Sequence, residues 1–225
     1  MSDQKQMASI GVLGGTGKEG KGLAYRWAKA GYRILIGSRS SEKAKTAAME
    51  LYDKLLGKGI IEGMNNIQAA QNADIVVLTV PFAVHRETLE NVKSALQGKI
   101  LIDVTVPLIP PKVTKVQMPP AGSAAQEAKE ILGENVQVTS AFQNISYEHL
   151  LREEQVDCDV LVTGTSKEAR AITLELVAAA GLTGWDAGPI ENSVVIEGMT
   201  SILIGINKLY GSTNAGIKIS GVFNQ

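Results

Sequence analysis

The stretch Ile10-Gly11-Val12-Leu13-Gly14-Gly15-Thr16-Gly17-Lys18-Glu19-Gly20 constrains this chain more than any other. An apolar run, a glycine loop and a helix opening follow in the order of a dinucleotide-binding strand–turn–helix unit. Gly15 is expected to make the tight turn, Gly17 to admit a pyrophosphate to the backbone, and Gly20 to let the helix lie close to its strand. The helix start then offers unpaired N–H groups and a positive dipole end. A second apolar run, Ile34 to Gly37, ends in Ser38-Arg39-Ser40, where Asp or Glu would bind a ribose 2′-hydroxyl. A hydroxyl, a guanidinium and the nearby cation of Lys43 suit a 2′-phosphate instead, since arginine binds it with two charge-assisted hydrogen bonds. The pattern predicts NADP(H).

Apolar β-rich runs alternate with helical patterns along the chain, which implies a Rossmann-type doubly wound α/β fold with a parallel sheet. Strands are expected at residues 9–13, 33–37, 75–79, 99–103, 137–141 and 159–163, with a further short one near 185–187. Helices are expected at 18–30, 42–56, 67–71, 84–96, 123–132 and 167–180. The last of these would open on the capping pattern Thr165-x-x-Glu168. Five of the seven prolines fall between Pro107 and Pro120, so residues 108–120 read as a loop. Beyond Pro189 a helix is predicted over 191–210, stopped by Gly211. Its stripe Val195, Met199, Ile202, Ile206 and Leu209, with Ile196 and Leu203 beside it, asks for burial on more than one face. Residues 1–189 are therefore taken as the dinucleotide-binding domain. Residues 190–225 are taken as a small helical segment serving the acceptor site and a homodimer contact.

Charge and composition remove other classes. A net charge of -1 gives no footprint for nucleic acid or an anionic membrane. The single cysteine, Cys158, excludes an internal disulfide and fits a reducing cytoplasm, as a structural thiol. No signal-like leader or membrane-length apolar run is read. No Cys/His spacing suits a metal, no Gly-x-Ser-x-Gly elbow occurs, and the glycine loop lacks the closing Gly-Lys-Ser/Thr of a P-loop.

Ligands of such sheets bind beyond the carboxyl ends of the strands. Those ends gather the glycine loop, Ser38-Arg39, Thr79 to Phe82, Thr105 to Leu108 and Phe142 to Ile145. This lining is apolar and nearly free of acids and bases, as hydride transfer between two carbons requires. No catalytic acid or base is assigned. His85 reads as a capping or solvated residue at a helix opening. His149, among Glu148, Arg152 and Glu153, reads as surface. Asp103 reads as a strand-end carboxylate with a turn hydrogen bond or a functional role. The residues leave open an NADP-dependent reductase of an imine, ketone or flavin and a non-catalytic NADP(H) sensor.

Several blocks resemble one family, the NADPH-dependent coenzyme F420 reductases. They are Gly14 to Ala24, Gly37-Ser38-Arg39 with Lys43, Ala73 to Pro81, Asp186 to Ser193 and Gly216-Ile217-Lys218. The resemblance implies reversible hydride transfer between C4 of the nicotinamide and C5 of a deazaflavin, in a homodimer. It implies phosphate contacts from Thr16, Gly17, Lys18 and Glu19, mainly through backbone atoms, and 2′-phosphate contacts from Ser38, Arg39 and Lys43. Val80, Phe82 and Leu108 would flank the nicotinamide end, with Tyr147 and Ala215 near the cofactor. The deazaflavin would lie by Gln143, Asn144 and Ile145. Some archaeal members carry histidine where this chain has Gln143; glutamine can still donate to a deazaflavin carbonyl but cannot become cationic.

Overall fold

The computed structural model describes residues 7–151 and 156–222. Its strands are β1 (Ile10–Leu13), β2 (Ile34–Ser38), β3 (Ile61–Asn65), β4 (Ile75–Leu78), β5 (Ile100–Asp103), β6 (Gln137–Ser140), β7 (Asp159–Gly164) and β8 (Thr183–Pro189). They form one sheet in the order β3-β2-β1-β4-β5-β6-β7-β8. Helices α1 (Lys18–Lys29), α2 (Ser41–Lys54), α3 (Asn66–Asn72), α4 (His85–Val92), α5 (Ala124–Leu132), α6 (Tyr147–Leu150) and α7 (Lys167–Ala179) cross between strands, and α8 (Ser193–Tyr210) closes the fold.

Alternation along the strands explains the two layers of core. Ile10, Val12, Ile34, Ile36 and Val77 point to one face, where Leu23, Trp27, Leu51 and Leu176 cover them. Leu13, Leu35, Val76, Leu78 and Leu101 point to the other and meet Ala69, Leu89, Ala128 and Leu132. Strands buried on both faces carry continuous Ile/Val/Leu runs, and these make the central strands legible from sequence.

The expected sheet needs two corrections. Strand β3 is present although no apolar alternation announces it. It is a half-exposed edge, and Gly63 is needed because a side chain there would collide with the backbone of Ala44 and Lys45 in α2. The sheet is also not wholly parallel: β6 and β7 pair antiparallel, through Thr139↔Gly164 and Ser140↔Thr163. Between them, the described residues hold only the four-residue α6, at the carboxyl end of the sheet. Among the described residues no long crossover helix carries the chain back, so β7 starts from the end where β6 stops.

Three local expectations also change. The N-cap of α7 is Ser166, whose hydroxyl accepts from Ala169 N at 3.1 Å. The Thr165 hydroxyl instead donates to Gln137 Oε1 at 2.9 Å. The expected 84–96 helix is α4 bracketed by short 3-10 turns at Phe82–Val84 and Lys93–Leu96. In α8, Ser193, Ile196, Glu197, Gly198, Ser201 and Leu203 are buried, whereas Val195, Ile202, Ile206 and Leu209 are exposed. The heptad-like stripe therefore faces away from this chain's own core. Residues 108–120 form the expected loop and run along α8, with Val116 and Met118 against Gly198 and Thr114 near Gly205. No helix among the described residues is long and apolar enough to cross a membrane.

Candidate functional site

Two cavities, each of about 340 Å³, open beyond the carboxyl ends of the strands. The glycine loop lies at the start of α1, between the strand ends that shape them. Gly14 rather than Gly15 takes the left-handed conformation there, at φ +76°. Gly15 N donates to Val12 O and Gly37 O, tying β1 to β2. A Cβ on Gly20 would stand 2.6 Å from Thr79 Oγ1 and 2.7 Å from Gly15 Cα, so the expected close packing is real. Gly17 is the N-cap of α1 without a side-chain cap, which leaves the first helical N–H groups for a ligand. Its missing Cβ faces only Gly14 O.

The first cavity is lined by Ser38, Arg39, Asn65, Asn66, Ile67, Val84, Glu87, Thr88, Asn91 and Val92. Ser38 is buried, and its hydroxyl accepts from Ser40 N at 3.3 Å. Arg39 and Lys43 are exposed, and neither has a carboxylate partner among the described residues. Lys43 stands at the opening of α2 outside the cavity lining, its backbone N–H donating to Ser40 Oγ. Asn66 Oδ1 is buried without a partner.

The second cavity collects Glu19, Val104, Val106, Leu108, Phe142 to Tyr147, Thr200, Leu203, Ile204, Asn207, Thr213 and Ala215. Of the expected site residues it includes Glu19, Leu108, Gln143, Asn144, Ile145, Tyr147 and Ala215. Thr16, Gly17 and Lys18 are not in its lining; of the three, Lys18 contacts a lining residue, Tyr147. Val80 and Phe82 do not line it: a side chain on Gly14 would meet Val80 Cγ1, and Phe82 stacks on His85 at 5.8 Å. Lys18 reaches Tyr147 across the rim, with Nζ donating to the phenol at 3.2 Å and standing 4.7 Å from the ring centroid.

The turn after β6 aims the polar groups. Phe142 has φ +73°, is buried, and packs edge-on against Trp27. A non-glycine residue in that region costs about 1–2 kcal/mol, and the tryptophan contact holds it there. Gln143 follows, with Nε2 donating to Asp103 O at 2.7 Å and to Ser140 Oγ at 2.8 Å. A carbonyl can only accept, so this bond fixes the amide's orientation and leaves Oε1 buried and unpaired. Both N–H bonds of Gln143 are thus used within the fold, and an acceptor remains toward the cavity wall it lines. Asn144 repeats the arrangement, with Nδ2 donating to Ile196 O and Thr200 Oγ1 and with Oδ1 unpaired.

Beneath the site lies a charged cluster that the sequence did not announce. His85 is fully buried, not capping or solvated, with Nε2 at 2.7 Å from Asp103 Oδ2 and Nδ1 at 3.1 Å from Glu127 Oε1. Burial opposes its charge, but Asp103 and then Glu127 outweigh it and raise the imidazole to about 9. Asp103 Oδ1 also accepts from Thr105 N, so the turn bond and the ion pair are both present. Glu197 of α8, fully buried, accepts from Ala124 N and Ala125 N at the start of α5. Burial, then the Asp103 charge, push that carboxyl up to about 8. In the sequence, Glu197 stands out by interrupting the apolar segment from Val194 to Ile206. His149 is half-buried, and Arg152 and Glu153 lie outside the described residues. Cys158 is buried as expected, its thiol pushed up by burial. No group of ligands suited to a metal occurs among the described residues.

The family described as "NADP oxidoreductase coenzyme F420-dependent" matches residues 9–107. The F420-dependent NADP reductase of Methanocaldococcus jannaschii is 40% identical over 223 residues, 95% of this chain and 98% of that one. The enzyme of the same description from Methanothermobacter thermautotrophicus is 40% identical over 224 residues, 96% of each chain. Among solved structures, a protein of an Arthrobacter species, provisionally assigned as an F420-dependent NADP reductase, superposes with a TM-score of 0.77. It is 24% identical and covers 95% of this chain and 100% of its own. That likeness establishes the shared fold, including the helical C-terminal part.

Proposed function

The chain belongs to the family of F420-dependent NADP reductases, and we propose from that membership and its two cavities that it transfers a hydride reversibly between NADP(H) and the deazaflavin coenzyme F420. The observation that carries the reading is the pairing of the cavities. One, at Arg39, has a cation and a buried hydroxyl where an acidic residue would favour NAD. The other is largely apolar, with acceptors and a single carboxyl group, Glu19, at its wall. The residues present fit both groups: uncapped N–H donors at Gly17 suit the pyrophosphate, and orphaned acceptors on Asn66, Gln143 and Asn144 suit ring or amide N–H donors.

In this assignment Thr16, Gly17, Lys18 and Glu19 hold the phosphates through the backbone, and Gly15 sets the turn. Ser38, Arg39 and Lys43 hold the 2′-phosphate. Val80 and Phe82 support the nicotinamide end from behind the loop, Leu108, Tyr147 and Ala215 enclose it, and Gln143, Asn144 and Ile145 meet the acceptor. When bound, the nicotinamide and deazaflavin supply the hydride chemistry, between C4 and C5. The protein aligns, excludes water and places polar acceptors, and it needs no acid or base at the reacting carbons.

Residues 190–225 act as the acceptor-site and assembly segment, since α8 contributes Thr200, Leu203, Ile204 and Asn207 to the second cavity. The exposed stripe Val195, Ile202, Ile206 and Leu209 supports a homodimer in which a second copy covers it. The unpaired cysteine supports a cytoplasmic location. Bleaching of F420 absorbance on adding NADPH tests the activity. No bleaching, with NADPH demonstrably bound, would refute it.

A further inference from the structure

Glu19 is the one carboxyl group lining the second cavity. It stands immediately before Gly20, so its backbone N–H belongs to the uncapped start of α1, and it lines the cavity together with Val104, Phe142 and Ile145. Oε1 is buried and has no hydrogen-bond partner. The adjacent cation does not neutralise it, because Lys18 is engaged with Tyr147 at the rim. Nature seldom leaves a carboxyl in such a place unless something else completes it.

We propose that the Glu19 side chain reads the charge of the nicotinamide ring, remaining a neutral acid beside NADPH and ionising beside NADP+, so that the nucleotide's redox state is coupled to one proton. The inference rests on the assignment of this cavity to the nicotinamide. The physical basis is simple. Reduced nicotinamide is uncharged and the oxidised ring is a cation, so a carboxylate facing it in a water-poor cavity favours only the oxidised form. Burial alone raises the Glu19 carboxyl to about 8, within reach of such a switch. Other titratable groups on the walls are few. Lys18 on α1 is committed to Tyr147, Glu148 on α6 accepts from Thr213 at 3.0 Å, and His149 is on the same helix. The lining residues of the strand-end loops and α8 bring none, and Glu197 turns toward α5. The bookkeeping also closes. Reducing the deazaflavin takes a hydride from NADPH and a proton, and ionisation of Glu19 as the ring becomes cationic releases one proton.

The test is binding, not turnover. Dissociation constants of NADP+ and NADPH are measured by fluorescence quenching from about pH 6.5 to about pH 9, for the parent and Glu19→Gln. The 2′-phosphate titrates near pH 6 but is common to both nucleotides and cancels in their ratio. In the parent the ratio Kd(NADP+)/Kd(NADPH) is expected to fall about tenfold as pH rises, the size of a one-unit displacement at Glu19. In Glu19→Gln it should stay flat. Calorimetry in buffers of different ionisation enthalpy should show proton release on binding NADP+ to the parent alone. A flat ratio in the parent, or the same slope in Glu19→Gln, overturns the inference. Failure of the parent to bind either nucleotide would instead refute the cavity assignment.

Discussion

Replacing His85 by alanine probes the buried cluster that supports the site. The imidazole sits between Asp103 and Glu127 with both ring nitrogens engaged and no solvent exposure. The substitution leaves two buried carboxylates facing a void, with the Thr105 N–H on Asp103 and the Arg86 guanidinium, at 2.9 Å from Glu127 Oε2, as their remaining partners. Breaking a buried pair by removing one partner costs about 3–5 kcal/mol. The histidine's own titration gives a similar figure. The rise from the ordinary 6.5 to about 9 corresponds to about 3 kcal/mol, at about 1.4 kcal/mol per tenfold. Because the folded value is raised, the folded state binds the proton more tightly. The contribution is complete below pH 6.5 and disappears as pH climbs through about 9. Urea unfolding of the parent and His85→Ala at about pH 6 and about pH 9.5 should therefore show a difference of at least about 3 kcal/mol at the lower pH and a clearly smaller one at the higher. A loss below about 1 kcal/mol, or one that does not change with pH, would refute the charged-imidazole account.

Three further outcomes are expected. Arg39→Ala should raise KM for NADPH by about 10- to 100-fold, from a charge-assisted bond of about 1.5–3 kcal/mol, while leaving KM for NADH nearly unchanged; steady-state kinetics with both nucleotides decide. Ile202→Asp, on the exposed stripe of α8, should leave the monomer fold intact by circular dichroism but shift light scattering to the monomer mass; an unchanged dimer refutes that interface. Gln143→Ala should slow turnover by about one to two orders of magnitude through misplacement of the acceptor. Deuterium from stereospecifically labelled NADPH should still pass directly to the deazaflavin, and wash-out into solvent on the first turnover would reveal a missed proton-transfer step.

What could be read from the residues follows burial. The central strands declare themselves because both faces are covered, which forces unbroken Ile/Val/Leu runs. Strand β3 does not, because on this half-exposed edge only Ile61 and Met64 pack against the core, and Gly63 lies beneath α2, so no apolar run or alternation results. The reversal of β7 was hidden for a different reason. Direction depends on what connects β6 to β7, and residues 141–158 contain no helical period strong enough to count or to miss. The stripe on α8 shows the limit of periodicity itself. A spacing of four and three identifies an apolar face, but Val195 and Ile202 do not reveal whether that face meets the same chain or another.

The nucleotide half of the site was legible because its chemistry is carried by contiguous residues: a glycine loop, then a strand end with Arg39. The acceptor half is assembled from β5, β6, α1 and α8, and its decisive facts are relations between distant groups. That Gln143 presents oxygen follows only from the carbonyl of Asp103, forty residues away in sequence. That Asp103 is fixed follows from His85, which in isolation looks like a solvated helix residue. A histidine between two carboxylates is visible only after folding has brought α4, β5 and α5 together. The same holds for Glu19: in the motif it occupies a variable position, and only the apolar walls around it turn an ordinary glutamate into a buried acid.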